Sequence, residues 1–132
     1  DLWTKFVLIC ATTGVQALTR TGFGVSRAEP EVYALYPAIM REVEAVARAT
    51  GISVPPDVVS RQMAIVDSYV AGARASMFQD LEAGKPLELD TLQGALVRMG
   101  RSLGVSTPIN AMIYAALKLH ANGKASASDT PR

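Results

Sequence analysis

Three polar side chains stand where their types and spacing could do chemistry. Lys5 sits among Trp3, Phe6, Val7 and Leu8 at the start of an apolar stretch. A helix turns about 100° per residue, so Thr12 and Gln16 fall on the same line as Lys5. A lysine leading a polar stripe along an apolar helix suits a partly buried general acid. It equally suits a helix-end lysine whose ammonium reaches water over a buried stem. Ser76 precedes Met77-Phe78-Gln79-Asp80. It reads as an N-cap serine with Gln79 at the capping-box position. The same geometry, a hydroxyl beside free helix N–H groups, is a seat for a carboxylate. Glu88 lies between Leu87 and Leu89, and alternation turns it away from both. It is either a solvated glutamate near a positive helix end or a carboxylate aimed into a cleft.

The remaining reactive residue types carry no assignment. Cys10 lies on the apolar run and is expected to be a buried, inert thiol. His120 falls in the last turn of the last helix, where a cation suits the dipole. One cysteine and one histidine exclude a disulfide framework and make a multi-histidine or clustered-cysteine metal site improbable on numbers alone. No metal site is expected.

The chain's composition sets its class. It has 132 residues, 49% hydrophobic and 19% charged, which is one globular domain by length. Thirteen basic and twelve acidic residues leave a net charge of +1, with no footprint for nucleic acid. The longest apolar run, Phe6 to Leu18, is 13 residues, short of the ~20 a membrane helix needs. It has no cleavage site of the signal-peptide kind, and the expected location is cytoplasmic. The chain begins at Asp1 with an apolar helix already under way, which leads us to expect a piece of something longer.

The elements that must position these residues are helical by period almost throughout. The pattern predicts helices over 2–18, 30–50, 55–72, 76–83, 90–104 and 109–120, with 19–28 and 85–89 as connections. Pro30 opens the second helix, with Glu42 and Glu44 on its outward side. Asp90 with Gln93, and Thr107 with Pro108, read as helix starts. The expected fold is all-α, about six helices over residues 1–121, followed by a disordered tail over 122–132. No G-x-G-x-x-G between strand and helix and no phosphate loop is present, so the chain carries no dinucleotide-binding half.

Trp3-Thr4-Lys5-Phe6, Ala75-Ser76-Met77-Phe78-Gln79-Asp80-Leu81 and Leu87-Glu88-Leu89-Asp90 with Gly94 following resemble the C-terminal domain of the ketopantoate (2-dehydropantoate 2-) reductases. The resemblance covers about Leu2 to Ala121. It implies a helical bundle similar to the C-terminal domain of 6-phosphogluconate dehydrogenase. It also implies a partner N-terminal Rossmann domain that binds NADPH, with the substrate in the cleft between the two. Hydride would pass to the C2 ketone of 2-dehydropantoate, giving pantoate for pantothenate synthesis. Lys5 matches the family's catalytic lysine, Ser76 a substrate-binding serine, and Glu88 a glutamate at the junction of substrate and cofactor.

Where well-known members carry asparagines after the lysine and in the loop beyond, this chain has Ile9, Thr13 and Phe23. Thr12 and Thr13 are expected to bind substrate in their place, and a different or bulkier 2-oxo acid becomes an alternative substrate. Without its cofactor domain the chain is expected to be inactive. The other alternative is a helical binding or dimerisation module without chemistry, whose apolar cleft face self-associates.

Overall fold

The computed structural model describes residues 1–123, and no strand occurs among them. The α-helices are α1 (Leu2–Thr19), α2 (Phe23–Ala28), α3 (Pro30–Tyr33), α4 (Leu35–Ala49), α5 (Val58–Ser68), α6 (Ser76–Ala83), α7 (Ala95–Leu103) and α8 (Pro108–Leu117). A π-helical turn, Asp90–Gly94, leads into α7, and a 3-10 turn, Lys118–His120, follows α8.

α1 is the central helix, in contact with α2, α4, α5, α6, α8 and the π turn. The Asp1 carboxylate accepts the Thr4 N–H at 2.9 Å and starts the helix. From Cys10 to Ala17 every residue is buried, because α4, α5, α6 and α8 pack around it. By length and composition α1 is apolar enough to cross a bilayer, more so than its 13-residue apolar run suggested. Here half of that span is buried against neighbouring helices. Small residues permit the close approach: a Cβ on Gly14 would lie 3.2 Å from Ile113 Cδ1. The core includes Val7, Val15, Ile39, Val43, Leu96 and Ile113, each worth about 1.5–3 kcal/mol when fully buried. Cys10 is buried among them, and that burial pushes its thiol far up the pH scale.

The segment 19–28, expected as a loop, contains α2. Its helicity is tertiary in origin. The Phe23 and Gly24 N–H groups donate to the Ala73 and Ala71 carbonyls at 3.0 and 2.9 Å. The Arg27 guanidinium donates to the Val66 and Asp67 carbonyls at the end of α5. Phe23 is buried. Gly24 is required because a Cβ there would stand 2.9 Å from the Ala71 carbonyl oxygen. The helix expected over 30–50 divides at Ala34 into α3 and α4.

Two expected caps are replaced by long-range contacts. Thr107 occupies the N-cap position of α8, but its hydroxyl makes no cap bond. Glu42, expected on an outward face, does that work. Its carboxylate accepts the Ile109 N–H at 2.9 Å, the Asn110 N–H at 3.0 Å and the Asn110 side-chain amide at 2.9 Å. A carboxylate there also meets the positive helix end. Glu42→Ala is therefore expected to destabilise the protein by about 2 kcal/mol, read as a lower denaturation midpoint at constant m. An unchanged midpoint would mean that water replaces the carboxylate at no cost.

Gln93, expected in a capping box with Asp90, points inward instead. It is fully buried and donates to the Cys10 carbonyl at 3.0 Å and to Thr13 Oγ1 at 2.9 Å. The π turn accommodates this, with the Gly94 N–H bonded to the Leu89 carbonyl at 2.9 Å. Of the tail expected from Asn122, Gly123 is still folded in, its N–H donating to the His120 carbonyl at 3.1 Å. Residues 124–132 lie outside the described residues.

Candidate active site

A cavity of about 460 Å3 opens between α1, the turn before α6, and the segment leading into the π turn. Thr12, Thr13, Ser76 and Glu88 all line it, together with Ile9 and Leu92. Residues separated by up to 83 positions thus share one wall. The size suits a small organic acid.

Each contributor is held by its own local structure. Ser76 is the first residue of α6, one place inside the helix rather than its cap; Ala75 is the N-cap. Gln79 does not close a capping box, since its side-chain amide donates to the Arg74 carbonyl at 2.8 Å. The Ser76 hydroxyl is therefore unspent, exposed, and set beside the positive end of α6. Met77 and Phe78 are buried and anchor that end. Gln16, fully buried in α1, accepts the Ala75 N–H at 2.7 Å and donates to the Tyr36 hydroxyl at 3.1 Å. Ser26 completes the network, 2.7 Å from the same hydroxyl.

Glu88 follows the alternation read from the sequence. Leu89 is fully buried, Leu87 half-buried, and Glu88 exposed. The Leu87 N–H is pinned to the Ala121 carbonyl at 2.8 Å, which fixes the strand-like segment against the end of the fold. The Glu88 carboxylate makes no ion pair or hydrogen bond among the described residues.

Thr12 and Thr13 line the cavity with their hydroxyls already engaged. Thr12 donates to the Leu8 carbonyl at 3.0 Å. Thr13 donates to the Ile9 carbonyl at 2.6 Å and accepts from Gln93. A hydroxyl has one proton to give, so neither can donate to a ligand without breaking a helix contact.

Lys5 does not line the cavity. It lies on α1 one turn before Ile9, about 6 Å along the axis, on the face that Ile9 and Thr12 present to the opening. It is exposed rather than partly buried, and its ammonium has no partner among the described residues. The first turn of α1 is itself fixed by Gln62, whose amide donates to the Thr4 carbonyl at 2.8 Å.

Three further residues complete the wall. Arg74 is the sole charged residue between Asp67 and Asp80, which is the signal that could have marked it. Its guanidinium lies 4.3 Å over the Phe78 ring and 4.0 Å from Glu82. Phe23 and Tyr69 stack at 4.3 Å between ring centroids, nearly parallel. Their pairing brings the start of α2 against the end of α5, far apart in sequence, and has no local signature.

The comparisons bear on family and fold. The chain matches the family described as "Ketopantoate reductase PanE/ApbA C terminal" over residues 1–121. It is 33% identical over 117 residues to the 2-dehydropantoate 2-reductase of Caulobacter vibrioides, covering 89% of this chain and 40% of that protein. Among solved structures, the dimeric ketopantoate reductase of Staphylococcus aureus superposes with a TM-score of 0.85 at 26% identity. That match covers 90% of this chain and 42% of the other. A PanE/ApbA family ketopantoate reductase from Ralstonia eutropha gives a TM-score of 0.82 at 35% identity, over 91% and 40%. The chain spans about 40% of the length of its curated relatives. Sequence and fold together place it in the ketopantoate reductase family, as a domain of that family's C-terminal type.

Proposed function

We propose that this domain is the substrate-binding and catalytic half of an NADPH-dependent 2-oxo acid reductase. A preceding nucleotide-binding domain carries the cofactor, and 2-dehydropantoate, the acid for which the relatives are named, is the first substrate to test. The observation that carries the reading is the meeting of Ser76 and Glu88 at one cavity, with Lys5 on the adjoining turn of α1 and the polar heads of all three unspent.

The cavity is far too small for a dinucleotide and has no phosphate loop beside it, so the residues here suit only the nicotinamide end of the cofactor. Glu88 is the group that would accept from hydroxyls there. When bound, NADPH supplies the hydride that adds to the C2 carbonyl carbon. The rest falls to this chain. The Ser76 hydroxyl and the first N–H groups of α6 hold the substrate carboxylate. The Lys5 ammonium faces the ketone oxygen, stabilises the charge that develops as the C=O electron pair moves onto oxygen, and donates the proton.

The test is NADPH oxidation by the full-length protein with a panel of 2-oxo acids. Consumption that requires a 2-oxo acid is the expected result. NADPH that binds but is never consumed would overturn the reading. It would leave the second one, a binding or dimerisation module. That alternative draws on Leu2, 83% exposed, which forms an apolar groove with Trp3, Phe6 and Met99.

A further inference from the structure

We propose that Arg74 is a further substrate-binding residue: its guanidinium takes the carboxylate of the acid in the cavity, and Glu82 competes with that acid for it. This rests on the 2-oxo acid reading above. It adds the cation that fixes the acid and the side chain that restrains the cation.

A carboxylate drawn from water into a cavity needs a counter-charge. Among the described residues that line this cavity, Arg74 is the one cation and Glu88 the one anion. Lys5 stands outside the lining. Arg74 lies two positions before Ser76, so an arginine, a serine hydroxyl and the first N–H groups of α6 share one side of the cavity. An arginine fork meets a carboxylate with two parallel hydrogen bonds, which a single hydroxyl cannot offer.

The chain around Arg74 is fixed while its head is not. The Ala73 carbonyl accepts the Phe23 N–H at 3.0 Å, the Arg74 carbonyl accepts the Gln79 amide at 2.8 Å, and the Ala75 N–H donates to Gln16 at 2.7 Å. The stem passes over Gly22, where a Cβ would stand 3.2 Å from the Arg74 Cγ. The guanidinium makes no hydrogen bond among the described residues. It rests 4.3 Å over the Phe78 ring and 4.0 Å from the Glu82 carboxylate, and both charged side chains are about half exposed. An exposed pair at that separation holds its members weakly. Phe78 and Glu82 are one turn apart on α6, on the flank next to the face that carries Ala75 and Gln79. The guanidinium is thus parked beside the cavity. A rotation about its side-chain bonds exchanges Glu82 for a bound carboxylate.

The experiment measures KM for the most rapidly consumed acid of the panel, and KM for NADPH, in the full-length protein and its variants. Arg74 and Glu82 are exposed, so every variant is expected to fold. Arg74→Gln is expected to raise KM for the acid about 10–100-fold, as loss of a charged hydrogen-bonding partner does. kcat should fall much less, and KM for NADPH should not change. Arg74→Lys keeps the charge without the fork and is expected to recover part of the loss. Glu82→Gln removes the competitor and is expected to lower KM for the acid by roughly two- to fivefold. In the Arg74→Gln background the same change is expected to do nothing, because no guanidinium is left to release. A merely structural arginine would not make Glu82→Gln favourable.

An unchanged KM for the acid in Arg74→Gln overturns the inference and leaves the reductase standing. A rise in KM for NADPH instead also overturns it, because the guanidinium would then serve a cofactor phosphate. An equal effect of Glu82→Gln with and without Arg74 overturns it as well, since the carboxylate would then act on the acid directly. Failure of the unmodified protein to consume NADPH with any 2-oxo acid overturns the inference together with the reductase reading beneath it.

Discussion

Replacing Lys5 by alanine in the full-length protein is expected to lower turnover by about 10²–10⁴-fold while leaving NADPH affinity and folding stability unchanged. Stability should hold because Lys5 is exposed on the first turn of α1 and its ammonium has no partner among the described residues. Alanine is the better helix former, and surface changes of this kind stay within about 0.5 kcal/mol. A large fall in kcat would then report chemistry rather than unfolding. Lys5→Arg sharpens the test. The guanidinium keeps the positive charge that stabilises the oxyanion, but it does not give up its proton near neutrality. It is expected to recover part of the ground-state binding and little of the turnover. The checks are steady-state kinetics, a cofactor titration and a denaturation curve on each variant. Equal losses of turnover and cofactor affinity would point to a binding residue and remove the acid role.

The helices were legible where the signals are local, and illegible where a distant partner decides. α6 ends where Gly84 suggests, with Gly84 in the left-handed cap conformation at φ 71, and begins one residue earlier than an N-cap at Ser76 implies. The alternation that exposed Glu88 between two leucines is a property of any extended segment, and it held. α2 shows the opposite case. Gly22-Phe23-Gly24 reads as turn chemistry. It becomes helical because Ala71 and Ala73, some fifty residues later, accept its first N–H groups. Glu42 sits on what looks like a solvated stripe, and only α8, 67 residues on, reveals its use. Gln93 fits the capping-box spacing after Asp90, yet the Cys10 carbonyl and the Thr13 hydroxyl compete for it from inside and win.

The same distinction runs through the site. Residue types and spacing raised Ser76, Glu88 and Lys5 as candidates with a structural alternative for each, and the family resemblance is what singled them out. The spacing gave no warning that Ser76 is not a cap, nor that the threonine hydroxyls are spent. The threonines spend their protons on the nearest acceptors, carbonyls such as that of Ile9 one turn away, and Ser76 loses the cap position because Ala75 takes it.

Gln16 carries the second large prediction, because it ties the core to the site. It is fully buried, and its two hydrogen bonds run to elements far apart: the Ala75 N–H at the start of α6 and the Tyr36 hydroxyl on α4. Gln16→Met keeps roughly the shape and removes both bonds. The Tyr36 hydroxyl retains Ser26 at 2.7 Å, so its loss is small. The Ala75 N–H has no second acceptor and is left unsatisfied, at about 1–3 kcal/mol. Together the loss should come to roughly 2–4 kcal/mol, seen as a lower denaturation midpoint. The functional consequence separates this from any other core lesion. α6 would lose the contact that sets the position of its first turn, and with it the seat of the substrate carboxylate. KM for the 2-oxo acid is then expected to rise several-fold more than kcat falls. A core substitution outside the cavity lining, such as Val43→Ala on α4, should also cost stability by leaving a cavity, yet leave KM alone. If the two variants shift KM alike, the effect belongs to general loosening, and the N-terminus of α6 is not where the carboxylate sits. If only Gln16→Met raises KM, a side chain that touches no substrate positions the group that does.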